Sequence, residues 1–187
     1  IELHSCCDTS DMGLICPCTV HPDTFKKWKG EIYFYNGERG LKLTEIIKKE
    51  TGIKPICVGS NAGFCAYMMA VFTGHNPVAM IGMDHCFYRK KDAKLRNNWA
   101  VMETTDILGK KVWTTPLWID TCFDFFQVAQ AFSDYGLETI NLTEGGILYD
   151  YFQTTTGELI EKPVIKSGRL WTFKKWHKEN EHIWKKS

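Results

Sequence analysis

Three short polar stretches of this chain could do chemistry. Gly59-Ser60-Asn61-Ala62-Gly63 follows an apolar run and opens a helix-like one. Free backbone N–H groups at such a helix start, with the helix dipole behind them, favour a phosphate or carboxylate, and glycines let a ligand approach the backbone. The same residues also suit a tight strand-to-helix turn with Ser60 or Asn61 as the N-cap. Gly82-Met83-Asp84-His85 ends a buried apolar run. A carboxylate there can bind Mg²⁺, accept from a ribose or base, or cap a turn, and His85 could act as a general base or be a bystander. In Asn141-Leu142-Thr143-Glu144-Gly145-Gly146, Asn141, Thr143 and Glu144 could read hydroxyls or ring amides while Gly145 and Gly146 leave room. An ordinary surface turn is the alternative. Asp8, ending the first visible strand, is a fourth contributor.

These stretches need elements to position them. "IELHSCC" reads as a strand ending at Asp8, and "LICPCTV" as a second short one. "HPDTFKKWKG" reads as a helix, with Pro22 in its first turn and Gly30 closing it. "EIYFYN" alternates as a strand, "LKLTEIIKKETG" as an amphipathic helix stopped by Gly52, and "KPICVGS" as a brief strand or turn. "AGFCAYMMAVFTG" is apolar on most faces, as a buried helix is, and "NPVAMIGMD" lacks alternation, as a central parallel strand does. "HCFYRKKDAKLRNNW" reads as a polar loop, and "AVMETTDILGKKVWTT" as two strands about a turn at Leu108-Gly109-Lys110. "PLWIDTCFDFFQVAQAFSDYG" has the longest helical pattern, from Pro116 to Gly136, and its aromatic stripe reads as core. "LETINLTEGG" is a strand running into a glycine pair.

Strands alternating with helices predict an α/β fold: a mostly parallel sheet with helices on both faces. The ends of "EIYFYN", "PICVG", "VAMIGMD" and "LETINL" are expected along one edge of one sheet, where open α/β sheets bind ligands. No linker divides the chain, so residues 1–187 read as one α/β domain with 151–187 as a C-terminal extension.

The 187 residues suffice for a sizeable core, and 44% hydrophobic content with 13% aromatics excludes a disordered chain. A net charge of +1 with interspersed signs leaves no footprint for nucleic-acid binding. The basic, aromatic tail "KSGRLWTFKKWHKENEHIWKKS" reads as a solvated amphipathic helix or an end segment. No apolar run reaches the roughly 18–20 residues of a membrane span, and no leader is visible. A chain that opens on Ile1 instead of Met is expected to be processed or trimmed. Most of the eight cysteines lie in apolar runs without paired ligand spacing. The expectation is therefore no disulfide, no zinc and a reducing, cytoplasmic compartment. Cys6, Cys7 and Cys65 have no basic partner placed beside them by sequence.

"VGSNAGFCAYMMAVFTGHNPVAMIGMDH" resembles the central motif of the MptE-like family, which contains the 6-hydroxymethylpterin diphosphokinase-like proteins and the Maf flagellin glycosyltransferases. In that family a glycine-rich turn opens a helix and a Gly-x-Asp ends the next strand. "LGKKVWTT" with the long helix after it and "INLTEGGIL" resembles the Maf-type half more, and "VHPDTFKKWKG" is similar to a segment between early strands. The resemblance covers about residues 1–150. It implies a Rossmann-like domain related to bacterial sialyltransferases that binds a nucleotide-activated substrate. Carried over, Gly59, Asn61 and Gly63 match the glycine-rich turn, Asp84 the strand-end acid, and Asn141, Glu144, Gly145 and Gly146 the last motif. The family's earlier strand and Gly-x-Gly-Pro-Ser-Leu-like turn is absent before Asp8, so a fragment or an incomplete donor site is expected.

The leading expectation is a transferase using a nucleotide-linked donor, most like glycosyl transfer from a CMP-activated nonulosonic acid, with a protein as one candidate acceptor. Asp84 or Glu144 would orient or deprotonate the acceptor, with His85 as a further candidate. A rival moves diphosphate from ATP to a pterin alcohol, with Mg²⁺ held by carboxylates such as Asp8 and Asp84. A second rival is a non-catalytic binding module.

Overall fold

The computed structural model describes residues 8–37, 42–59, 61–94, 100–148, 164–167 and 178. The chain forms two compact units, Ile1–Val58 and Gly59–Ser187. Both are mixed α/β, with small, mostly parallel sheets.

In the first unit, β1 (Leu14–Pro17), β2 (Ile32–Gly37) and β3 (Pro55–Ile56) pair in that order, all parallel. Parallel neighbours need crossovers. These are made through α1 (Asp23–Lys27) and α2 (Lys42–Thr51). The "HPDTFKKWKG" helix is thus shorter than its pattern, with Pro22 at the N-cap. Gly30 is where the chain must pass close to the 9–12 turn: a Cβ there would lie 2.0 Å from the Met12 carbonyl oxygen. Asn36, 1% exposed, ties the unit together. Its Nδ2 donates to the carbonyls of Thr44 (2.9 Å) and Ile53 (3.2 Å), joining β2 to α2 and to the approach to β3. The strand expected over "IELHSCC" lies outside the described residues.

The second unit starts with α3 (Ala62–Phe72) and β4 (Val78–Met80). After α4 (Lys90–Lys94), β5 (Met102–Thr105) and β6 (Lys111–Thr114) form an antiparallel hairpin. The long helix α5 (Pro116–Ser133) leads to β7 (Thr139–Asn141), and β8 (Ile165–Ser167) completes a parallel sheet in the order β4-β7-β8. Thr115 caps α5 by accepting from the Trp118 N–H, with Pro116 behind it, as the sequence pattern requires. The core gathers Phe64, Tyr67 and Met68 of α3, Val78 and Met80 of β4, and Cys122, Phe125 and Ala129 of α5. Phe125 meets Phe64 edge-on at 4.9 Å. The Tyr67 and Thr139 hydroxyls pair at 2.8 Å, so neither is buried without a partner.

The expectation of one sheet edge is corrected here. β2 and β3 belong to one sheet, whereas β4 and β7 belong to another. Strand-like patterning marks a segment as a strand but does not name its neighbour. With β3 only two residues long, little ladder is available to extend the first sheet.

Candidate functional site

In the second unit, the parallel pairing of β4 with β7 sets Met80 opposite Asn141 and so brings two strand ends side by side. The segments that follow are laced together. Leu142 N–H donates to the Met80 carbonyl (2.8 Å), Met83 N–H to the Thr143 hydroxyl (3.0 Å), and Ile147 N–H to the Asp84 carbonyl (2.9 Å). Gly146 has φ +77°, and a Cβ on it would lie 2.5 Å from the Asp84 carbonyl oxygen. Only glycine serves both conditions. Asn141 is buried and closes its own loop, donating to the Leu148 carbonyl (2.6 Å) and accepting from the Thr143 N–H (3.0 Å).

The start of α3 meets the same loop. Asn61 caps the helix: its Oδ1 accepts from the Phe64 N–H at 2.9 Å. That leaves its Nδ2 facing the Nε2 of His85 at 3.4 Å. His85 Nδ1 lies 3.0 Å from the Met83 carbonyl, a partner that can only accept, so Nδ1 carries the proton and Nε2 keeps its lone pair. Thr114 donates to the His85 carbonyl at 2.8 Å, and the ring stands edge-on to Phe125 at 5.8 Å. Burial pushes the imidazole below its ordinary pKa of 6.5, opposed by the Met83 carbonyl and Asp84. His85 is therefore neutral at pH 7. Its φ of +51° is left-handed backbone, uncommon for a residue with a Cβ.

The glycines of this turn are filled from within. Gly59 has φ +64°, and a Cβ on it would lie 1.9 Å from the Phe64 ring; at Gly63 it would lie 2.7 Å from the Met83 sulfur. The room expected for a ligand beside these two residues is taken by the protein's own side chains. Ser60 lies outside the described residues.

Asp84 is half-buried, and its Oδ1 accepts from the Tyr88 hydroxyl at 2.8 Å. Glu144 is exposed, with φ +60°. The structure thus gathers Gly59, Asn61, Gly63, Asp84, His85, Asn141, Thr143, Gly145 and Gly146 around two strand ends and one helix start. Asp8 belongs to the other unit, where its exposed carboxylate accepts from the Ser10 hydroxyl (2.6 Å) and N–H and from Lys29 (3.3 Å). Those Ser10 bonds, then Lys29, hold it below the usual carboxylate range.

Two acid-linked groups escaped the reading of the sequence. Tyr88 sat in what looked like a featureless polar loop. Asp106, 3% exposed, holds the hairpin turn by accepting from the Leu108 and Lys110 N–H groups (2.9 and 2.8 Å), while its Oδ2 is buried without a partner. Cys16, Cys18, Cys57, Cys65, Cys86 and Cys122 are free thiols, and Cys6 and Cys7 lie outside the described residues. Burial pushes Cys86 up to about 11 and Cys122 up to about 12, so neither is a thiolate at neutral pH. No group of three or more His, Cys, Asp or Glu among the described residues could hold a metal ion.

Residues 2–90 match a family model described as 6-hydroxymethylpterin diphosphokinase MptE-like. Over that span the chain is similar to the MptE-like family. The match runs from the first unit through α3 and β4 to the Asp84 loop and stops at the first residue of α4. The β7 loop of the site lies beyond it. No curated protein and no solved structure matches this chain. The family points to a transferase-like or diphosphokinase-like module. No helix among the described residues is long and apolar enough to cross a membrane.

Proposed function

We propose that this chain is a transferase whose site lies where α3, the Asp84 loop and the β7 loop meet. The anionic part of a nucleotide-linked donor binds at the start of α3 on the side that Phe64 and Met83 leave unfilled, and an acceptor hydroxyl is activated by His85 and oriented by Asp84. The observation that carries this reading is the neutral His85, its Nε2 lone pair 3.4 Å from the amide that caps α3. A neutral base whose lone pair meets the Asn61 amide only at the long distance of 3.4 Å, beside a helix N-terminus, matches a reaction in which a hydroxyl displaces that amide and loses a proton while a phosphate takes up charge.

The preferred donor is a CMP-linked nonulosonic acid. The bond from the anomeric carbon to the phosphate oxygen breaks, its electron pair leaving with CMP. The acceptor oxygen bonds to that carbon, and its proton passes to His85 Nε2. A second reading is favoured by the description of the matching family: diphosphate transfer from ATP to a hydroxymethylpterin. Mg²⁺ binds through one or two carboxylates plus substrate phosphates, and it would neutralise phosphate charge. Asp84 fits as one ligand, whereas the Asp8 carboxylate is already engaged by Ser10 and Lys29.

Thermal shift separates these readings. CMP without metal stabilises a glycosyltransferase, and ATP only with Mg²⁺ stabilises a diphosphokinase. Replacing His85 with Asn, which tolerates left-handed backbone, lowers turnover by about 10²- to 10⁴-fold if His85 is the base. If no nucleotide shifts the melting temperature, the transferase reading fails and a partner-binding module takes its place.

A further inference from the structure

We propose that Tyr88 is a positioning residue of this site: its hydroxyl holds the Asp84 carboxylate, and Gly145 is bare so that this hydroxyl can reach it. The inference rests on the reading of Asp84 as the group that meets the acceptor.

Two observations converge on one oxygen. The Tyr88 hydroxyl donates to Asp84 Oδ1 at 2.8 Å. A Cβ on Gly145 would lie 2.4 Å from that hydroxyl oxygen. Gly145 does not occupy the left-handed region, so conformation does not demand glycine there, and room for the hydroxyl does. Tyr88 is 50% exposed, so burying an aromatic ring is not the main use of this side chain. Burial and the adjacent Asp84 carboxylate push the phenol well above its ordinary pKa of 10.0, so it remains a donor across the neutral range. With one carboxylate oxygen held this way, the orientation of the other is fixed.

Two chemically different variants test this. Tyr88→Phe removes the hydroxyl and keeps the ring. Gly145→Ala keeps the ring and the hydroxyl but pushes them off Asp84. The first readout needs no turnover: the ¹³C resonance of the Asp84 carboxyl is expected to move in the same direction in both variants. An unmoved resonance in folded Tyr88→Phe overturns the proposal, whatever the chain binds. The second readout is kinetic, with CMP-linked nonulosonic acid or with ATP, Mg²⁺ and hydroxymethylpterin. Each variant is expected to lower kcat about 10- to 100-fold, with the donor KM within about twofold. The double variant should be no worse than Tyr88→Phe alone, because the hydroxyl is already gone. Unchanged kcat in Tyr88→Phe, or losses that multiply in the double variant, overturns the positioning role. A wild-type chain that neither binds nor turns over either donor overturns the transferase reading instead, and the carboxyl resonance then decides the Tyr88–Asp84 linkage by itself. Should Gly145→Ala misfold, Tyr88→Phe carries both readouts.

Discussion

The two units solve the same packing problem by different means. Among the described residues of Ile1–Val58 the most buried large side chain is an amide, Asn36, whose Nδ2 joins β2 to the carbonyls of Thr44 and Ile53. Among those of Gly59–Ser187 it is Phe125, fully buried among Phe64, Tyr67 and the ring of His85. An amide network specifies geometry but gains little net free energy, while a ring of this size removes a large apolar area from water. The candidate site sits on the aromatic version. Phe64 fills the room beside Gly59, and Phe125 backs the imidazole. An imidazole held by a packed ring is held by many small contacts at once.

Substitutions can break this contrast. The largest effect is expected from Phe125→Ala, about 3–5 kcal/mol by urea denaturation, with loss of amide protection across α3 and α5. A cost under about 1 kcal/mol would mean that the aromatic core is not what holds this unit. Asn36→Leu should cost less, about 1–3 kcal/mol, because two buried carbonyls lose their donor. Hydrogen exchange should then quicken around Thr44 and Ile53; a loss of protection in α5 as large as that in α2 would erase the distinction between the units.

Protonation of His85 gives a smaller, graded effect. Above pH 6.5 the imidazole is neutral in both folded and unfolded chains. As pH falls below 6.5, the unfolded chain takes up the proton while the buried ring resists it. Stability therefore drops from pH 6.5 down to the lowered folded pKa and has no further slope from this group below that. His85→Asn should flatten the dependence, measured as melting temperature against pH. A slope that persists in His85→Asn belongs to another group. The smallest effect is a gain. Glu144→Gly relieves left-handed backbone at φ +60° and should stabilise the unit by about 1 kcal/mol. If turnover falls as well, the Glu144 carboxylate acts in the reaction and not only in the turn.

Local features of the site were legible and neighbours were not. Asn61 before an apolar run is a helix cap by residue type, and Pro116 after Thr115 marks the start of α5. Gly109, with φ +74°, marks the hairpin turn between β5 and β6. All of these depend on residues a few positions apart. The division of the parallel strands between two sheets does not, nor does the pairing of β7 with β8. The glycines show the limit most clearly. A residue without Cβ signals that something comes close, but sequence cannot say what. Here it is the Phe64 ring, the Met83 sulfur, the Tyr88 hydroxyl and the Asp84 backbone. Left-handed backbone at His85 and Glu144 was not legible, because histidine is enriched there only several-fold over a rate of a few per cent and glutamate is not enriched.

The bond from the Met83 N–H to the Thr143 hydroxyl joins residues 60 positions apart in the chain. Closing a loop of that length is entropically costly and brings little return until β7 docks beside β4. The helices can form early from local contacts, yet Asp84 and the glycine pair can meet only after this closure. During refolding, helical signal should therefore recover before the bond from the Ile147 N–H to the Asp84 carbonyl does. A partly folded chain would then have the helices of this unit without its site.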